Sequence, residues 1–73
     1  MAKLYIFTKK GRNEFNLVDH NVIGRHPKNR IKILEAGISK VHCLIASEEN
    51  QTFSIRDLGS RNGTYINGAR LKG

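Results

Sequence analysis

The 73-residue sequence is poor in several features that would assign it to a common class. It has one cysteine, Cys43, which excludes an intramolecular disulfide and a multi-cysteine zinc cluster. Nothing in it demands an oxidising compartment. It has no long hydrophobic run: Met1 to Thr8 is too short for a signal peptide or a membrane span, and Lys9 and Lys10 follow it. No window keeps a helical period beyond two turns, and there are no internal repeats, low-complexity tracts or linkers. Paired carboxylates, a metal-ligand set and an activated nucleophile are all lacking, so no enzyme, metal or cofactor is expected. Aromatic residues are few, and they are spread over separate runs that need cores. No surface pair for stacking bases is therefore expected, and nucleic acid is not an expected partner.

Acidic residues are also scarce, 6 against 13 basic, which leaves a net charge of +7. Such a surface attracts anions and speeds encounter with them. Charge alone does not choose among nucleic acid, an acidic membrane and a phosphorylated protein. A chain of this length is one domain, spanning 1–73. It is also short for one hydrophobic core, which below about 70–80 residues rarely supplies more than 3–5 kcal/mol. The default setting is a soluble protein of the cytoplasm, or of the nucleus in a eukaryote.

What the sequence does have is short β-like runs between turn signals. Lys3 to Thr8 is rich in aromatic and β-branched residues, and Lys10 to Asn13 reads as its turn. Glu14 to Val18, Asn21 to Arg25 and Arg30 to Leu34 are further strands. Pro27 breaks the chain between the last two, because it lacks an N–H and pushes His26 out of the α region. His42 to Ser47 reads as a buried strand. Thr52 to Asp57 places Phe53 and Ile55 on one face and Ser54 and Arg56 on the other. Thr64 to Ile66 leads into Asn67-Gly68, a strong hairpin signal. This pattern predicts an all-β, antiparallel β-sandwich with its chemistry on loops 26–29, 35–41 and 58–63.

Several polar residues fall on or beside those loops. Arg25 presents a planar fork that matches phosphate oxygens. Ser39 and Lys40 can both donate to a phosphate. His42 has no nucleophile and no orienting carboxylate at a recognisable spacing, so it is expected to donate ring N–H bonds to loop backbone rather than to act as a base. Cys43 is expected to be a small core residue. In the run Asp57 to Gly68, Gly59 and Gly63 permit tight backbone, while Ser60, Asn62 and Thr64 are short polar side chains suited to tying a loop together.

The order and spacing of these residues resemble the forkhead-associated (FHA) domain. The resemblance lies in Gly24-Arg25, then Ser39-x-x-His42 fourteen residues after the arginine, then Asp57-Leu-Gly-Ser-x-Asn-Gly-Thr-x-x-Asn-Gly68. It covers roughly residues 4–71, and the motif-bearing region is 24–68. It implies a β-sandwich of the SMAD/FHA-like type that binds phosphothreonine peptides through loops at one end. On that basis Arg25 and Ser39 hold the phosphate, and Lys40 adds a contact. Arg61 sits beside the phosphothreonine, and Asn62 bonds the peptide backbone. Gly24, His42, Ser60, Gly63, Thr64 and Asn67 structure the loops. Gly37 and Ile38 face the residue three places after the phosphothreonine.

Three departures from the pattern stand out. Lys40 takes a place where the family often has arginine, which keeps charge but loses the fork. Arg30 stands where an acidic residue is common and has no evident role. The family also usually continues for two or three strands past Arg70-Leu71, so the fold is expected to be C-terminally short, with the strand at Leu4–Phe7 lacking a neighbour. The expected function is phosphorylation-dependent protein–protein interaction, with a phosphothreonine protein or peptide as partner and no membrane partner. The alternatives are an FHA-like assembly or dimerisation module that does not read phosphate, with a homodimer formed by strand exchange or edge pairing, and a small basic nucleic-acid-binding β-module.

Overall fold

In the computed structural model, which describes residues 2–71, eight strands form three small sheets. Met1, Lys72 and Gly73, the ends of the expected 1–73 span, lie outside the described residues. Strand β1 (Lys3–Thr8) pairs antiparallel with β2 (Gly11–Asn16) as a hairpin. Strands β3 (His20–Gly24), β4 (Ile31–Lys32), β5 (Cys43–Ser47) and β6 (Phe53–Asp57) form a second sheet in the order β4-β3-β5-β6. Strands β7 (Tyr65–Ile66) and β8 (Ala69–Arg70) make a short terminal hairpin. The only helical segment among the described residues is a single 3₁₀ turn, Glu49–Gln51, between β5 and β6. The chain is therefore all-β and mostly antiparallel.

One pairing departs from the antiparallel expectation. Strands β3 and β4 run parallel over two residue pairs, Ile23 with Ile31 and Gly24 with Lys32. The His26–Asn29 turn, closed by the Asn29 N–H on the His26 carbonyl at 3.0 Å, brings the chain back beside β3. Ile33 N–H then reaches the Gly24 carbonyl at 3.0 Å.

The first turn also differs from expectation. Thr8 pairs with Gly11, so Lys9 and Lys10 alone make the turn, and β2 begins where a turn was expected. Thr8 Oγ1 accepts the Lys10 N–H at 3.1 Å and closes this loop. Gly-Arg-Asn reads locally as a turn, but cross-strand register decides the matter.

The core follows from alternation. Ile23, Ile31, Cys43 and Ile45 are buried between the layers, with Leu4, Ile6 and Phe15 of the hairpin and Leu17 just after it packed against them. Burial pushes the Cys43 thiol pKa up, which keeps it a neutral core group. Ile55 points to the same side as Ile45 but remains 38% exposed, because β6 is the edge of its sheet. The free edge of β1 has no strand partner among the described residues.

A buried asparagine ties the layers together. Asn21 is fully buried and its side chain is fully satisfied. Its Oδ1 accepts from Val18 N–H at 2.9 Å and from Arg30 Nε at 3.1 Å, and its Nδ2 donates to the Val18 and Ile45 carbonyls at 2.8 and 2.9 Å. Arg30 also donates from Nη2 to the Asn16 carbonyl at 2.6 Å. The arginine with no evident role in the sequence thus staples the end of β2 to the start of β3.

Candidate functional site

The loops that follow β3, precede β5 and follow β6 meet through hydrogen bonds rather than through apolar packing. Arg25 N–H donates to the Ser39 carbonyl at 3.0 Å, and His26 N–H to the Lys40 carbonyl at 3.2 Å. Asn29 Nδ2 donates to the same Lys40 carbonyl at 2.6 Å. This close approach requires Gly24, since a Cβ there would overlap the Lys40 carbonyl oxygen.

Arg25 is exposed and directed by one bond. Its Nε donates to the Ile38 carbonyl at 2.5 Å. That leaves both terminal nitrogens, the pair suited to bidentate contact with an oxyanion. Asn62 Nδ2 donates to the Gly37 carbonyl at 3.0 Å, which leaves its Oδ1 and a second N–H. Gly37 and Ile38 therefore brace two of the expected binding side chains through their carbonyls.

Ser39 is set by two partners. Its Oγ accepts the Arg61 N–H at 3.0 Å. Its own N–H donates to His42 Nδ1 at 3.1 Å. Because Nδ1 is an acceptor, the ring proton sits on Nε2, which faces the Gly63 carbonyl at 3.0 Å. His42 is 6% exposed and brackets two loops, accepting at Nδ1 where donation from the ring was expected.

The last loop is organised by a carboxylate. Asp57 Oδ2 accepts the Gly59 and Ser60 N–H groups, each at 3.0 Å. Its Oδ1 accepts the Ser60 hydroxyl at 2.5 Å and the Thr64 hydroxyl at 2.8 Å. Ser60 Oγ in turn accepts the Gly63 N–H at 2.9 Å. The Ser60 hydroxyl, then that of Thr64, holds the Asp57 carboxyl well below its usual range, at about 2. These bonds close a circuit. Asp57 holds Ser60, Ser60 holds Gly63, Gly63 meets His42, His42 holds Ser39, and Ser39 holds Arg61, the neighbour of Ser60.

Arg25, Ser39, Arg61 and Asn62 are thus gathered on three mutually bonded loops. Lys40 is in the same group through its carbonyl, and its side chain is exposed. Ser60 and Thr64 are hydrogen-bonded to Asp57, and Gly63 to Ser60, at the third loop. Asn67 lies apart, at the β7–β8 turn, where its φ of 50° and the Gly68 φ of 85° make the tight hairpin. Asp57 and Asn29 carry more of the architecture than their place in the sequence indicates. Asp57 opens the most informative motif, and an acidic residue followed three positions later by serine is the signal that finds it.

These features define an all-β module that presents donors from rigid loops. The chain belongs to the FHA family: the FHA domain family model matches residues 21–73. FHA domains are non-catalytic binding modules. One similar structure comes from a structural and functional analysis of phosphothreonine-dependent FHA domain interactions. It aligns with 96% of this chain and 71% of its own, with a TM-score of 0.75 and 24% identity. Rv1747 FHA-1 of Mycobacterium tuberculosis aligns with 94% of this chain and 66% of its own, with a TM-score of 0.68 and 25% identity. A protein from Synechocystis sp. aligns with 93% of this chain and 74% of its own, with a TM-score of 0.69 and 26% identity. No protein of curated function matches the chain.

Proposed function

We propose that this chain binds phosphothreonine peptides through Arg25, Ser39, Lys40, Arg61 and Asn62, and so mediates phosphorylation-dependent protein association. The observation that carries this reading is the state of Ser39. Its Oγ accepts the Arg61 N–H, which fixes the side chain, while its hydroxyl proton has no acceptor among the described residues and remains available to donate. Arg25 keeps two terminal nitrogens after Nε is spent on Ile38. Both groups offer free donors, which suits an oxyanion with three acceptor oxygens and a charge of about −1.5 to −2. Asn62 keeps both a donor and an acceptor, which suits a peptide backbone.

The magnitudes fit a reversible reader. Three or four charge-assisted bonds at 1.5–3 kcal/mol each give about 5–12 kcal/mol gross. Association costs roughly 4 kcal/mol or more of that. The net is at most about 8 kcal/mol, so the affinity is salt-sensitive and micromolar at its tightest. Titration with a phosphothreonine peptide library, calorimetric or by fluorescence, tests the reading on the wild type and on Arg25→Ala. Phosphopeptides bind the wild type, their unphosphorylated forms do not, and Arg25→Ala loses at least a hundredfold. Equal binding of the two peptide forms would sink the proposal.

A further inference from the structure

The outward face of the β1–β2 hairpin carries a feature that the phosphate loops do not use. Along β1, Leu4, Ile6 and Thr8 turn inward, and Lys3, Tyr5 and Phe7 turn outward. Tyr5 is 44% exposed and Phe7 is 75% exposed. A phenylalanine three-quarters in water contributes little to the core. Two such rings, two residues apart on one face, form a surface pair that the sequence reading did not expect.

The charge around the pair is positive. Arg12 is the cross-strand partner of Phe7. Its guanidinium stands 5.1 Å from the centroid of the Tyr5 ring, within cation–π reach. Lys9 and Lys10 form the turn beyond Phe7. Glu14, the cross-strand partner of Tyr5, is the one carboxylate on these two strands, and Lys3 Nζ pairs with it at 3.0 Å. The face therefore offers flat apolar rings with cations beside them.

We propose that this face binds single-stranded nucleic acid, with bases stacked on Tyr5 and Phe7 and backbone phosphates drawn to Arg12, Lys9 and Lys10. Residues two apart on a strand are about 6.6 Å apart, so the two rings stand close enough to hold nearby bases of one strand. Stacking on aromatic side chains is tolerant of sequence, and positive charge beside the rings tracks the backbone. An acidic protein supplies the charge but not a regular series of flat rings, so the pair of exposed aromatics favours nucleic acid. The site shares no residue with the proposed phosphothreonine site.

Fluorescence anisotropy of a labelled oligothymidine or oligouridine 12-mer with the 73-residue chain tests this. The wild type binds at 50 mM salt, and Phe7→Ala and Arg12→Ala each weaken binding at least tenfold, while Arg25→Ala leaves it unchanged. With three phosphates neutralised, the single-strand salt slope of about −0.7 per contact lowers affinity roughly twentyfold between 50 and 200 mM salt. Phe7 is so exposed that its removal leaves the fold intact, and Arg12→Ala gives a second, independent readout. The proposal is overturned by no binding at 50 mM salt, or by Phe7→Ala binding like the wild type. It is equally overturned by duplex DNA binding as tightly as the single strand, since duplex bases cannot reach the rings. Polyglutamate binding as tightly as the oligonucleotide would assign the face to acidic proteins instead.

Discussion

Four hydrogen-bond donors converge on the Asp57 carboxylate: the N–H groups of Gly59 and Ser60 and the hydroxyls of Ser60 and Thr64. They stabilise the charged form, so the folded-state pKa lies near 2, below the ordinary value of 3.8. A depressed carboxylate pKa stabilises the fold above the unfolded value, and that stability is lost as pH falls through the folded one. The window for Asp57 is therefore between pH 3.8 and about 2. Asp57→Asn keeps an acceptor for the hydroxyls but none for the two backbone N–H groups. Thermal midpoints measured from pH 6 to pH 2 will show the variant below the wild type at pH 6. The gap will close on acidification through that window, because the wild type loses its carboxylate there and the variant has none to lose. A gap that stays constant to pH 2 would show that the carboxylate charge does not hold this loop. The same variant loosens the circuit that ends at Ser39 and Arg61, so its phosphopeptide affinity falls without any change in a residue proposed to touch the ligand.

At the level of strands and loops, burial of Asn21 is the strongest single constraint. Four hydrogen bonds run from its side chain to the Val18 N–H and carbonyl, the Ile45 carbonyl and Arg30. Asn21→Ala leaves those groups without their partner beside a fully buried position. Each unsatisfied buried group costs about 1–3 kcal/mol. A loss of at least 3 kcal/mol is expected in urea unfolding, close to the whole stability of so small a core. Arg30→Ala, which removes one partner and leaves Asn21 three bonds, is expected to cost about 1 kcal/mol. Comparable losses for the two variants would show that the Arg30 bonds, rather than the burial of Asn21, dominate this junction.

Neither residue was legible in the sequence, and the reason is physical. Asn21 opens an expected strand, where a polar residue reads as exposed, and only the return of β5 past it reveals that it is enclosed. Elements set by local pattern were legible: the strand at β1, the alternation of β6, the Asn67-Gly68 hairpin and the three polar loops. Elements set by register were not. The Lys9–Lys10 turn, the parallel contact of β3 with β4 and the outward aim of both Tyr5 and Phe7 depend on which residue lies opposite which, and a single strand does not carry that information.

For the molecule as a whole, a small core makes binding visible as stability. Only Ile23, Ile31, Cys43 and Ile45 are buried apolar residues among those described, and the functional loops are held by polar bonds to one another. A ligand that binds the folded state alone adds about 2.7 kcal/mol at one hundred times its Kd. In a domain of 60–100 residues, each kcal/mol moves the midpoint by 4–8 °C, so saturating phosphothreonine peptide raises Tm by on the order of 10–20 °C. Arg25→Ala, exposed and bonded to the fold mainly through the Ile38 carbonyl, keeps a melt of its own and loses this increment. The unphosphorylated peptide gives no increment to either protein. An oligonucleotide bound on the β1–β2 face stabilises Arg25→Ala as much as the wild type, because it grips a different sheet. One thermal series with three ligands and two proteins therefore separates the two proposed sites. A phosphopeptide shift that survives in Arg25→Ala would move the phosphate to other residues than those named.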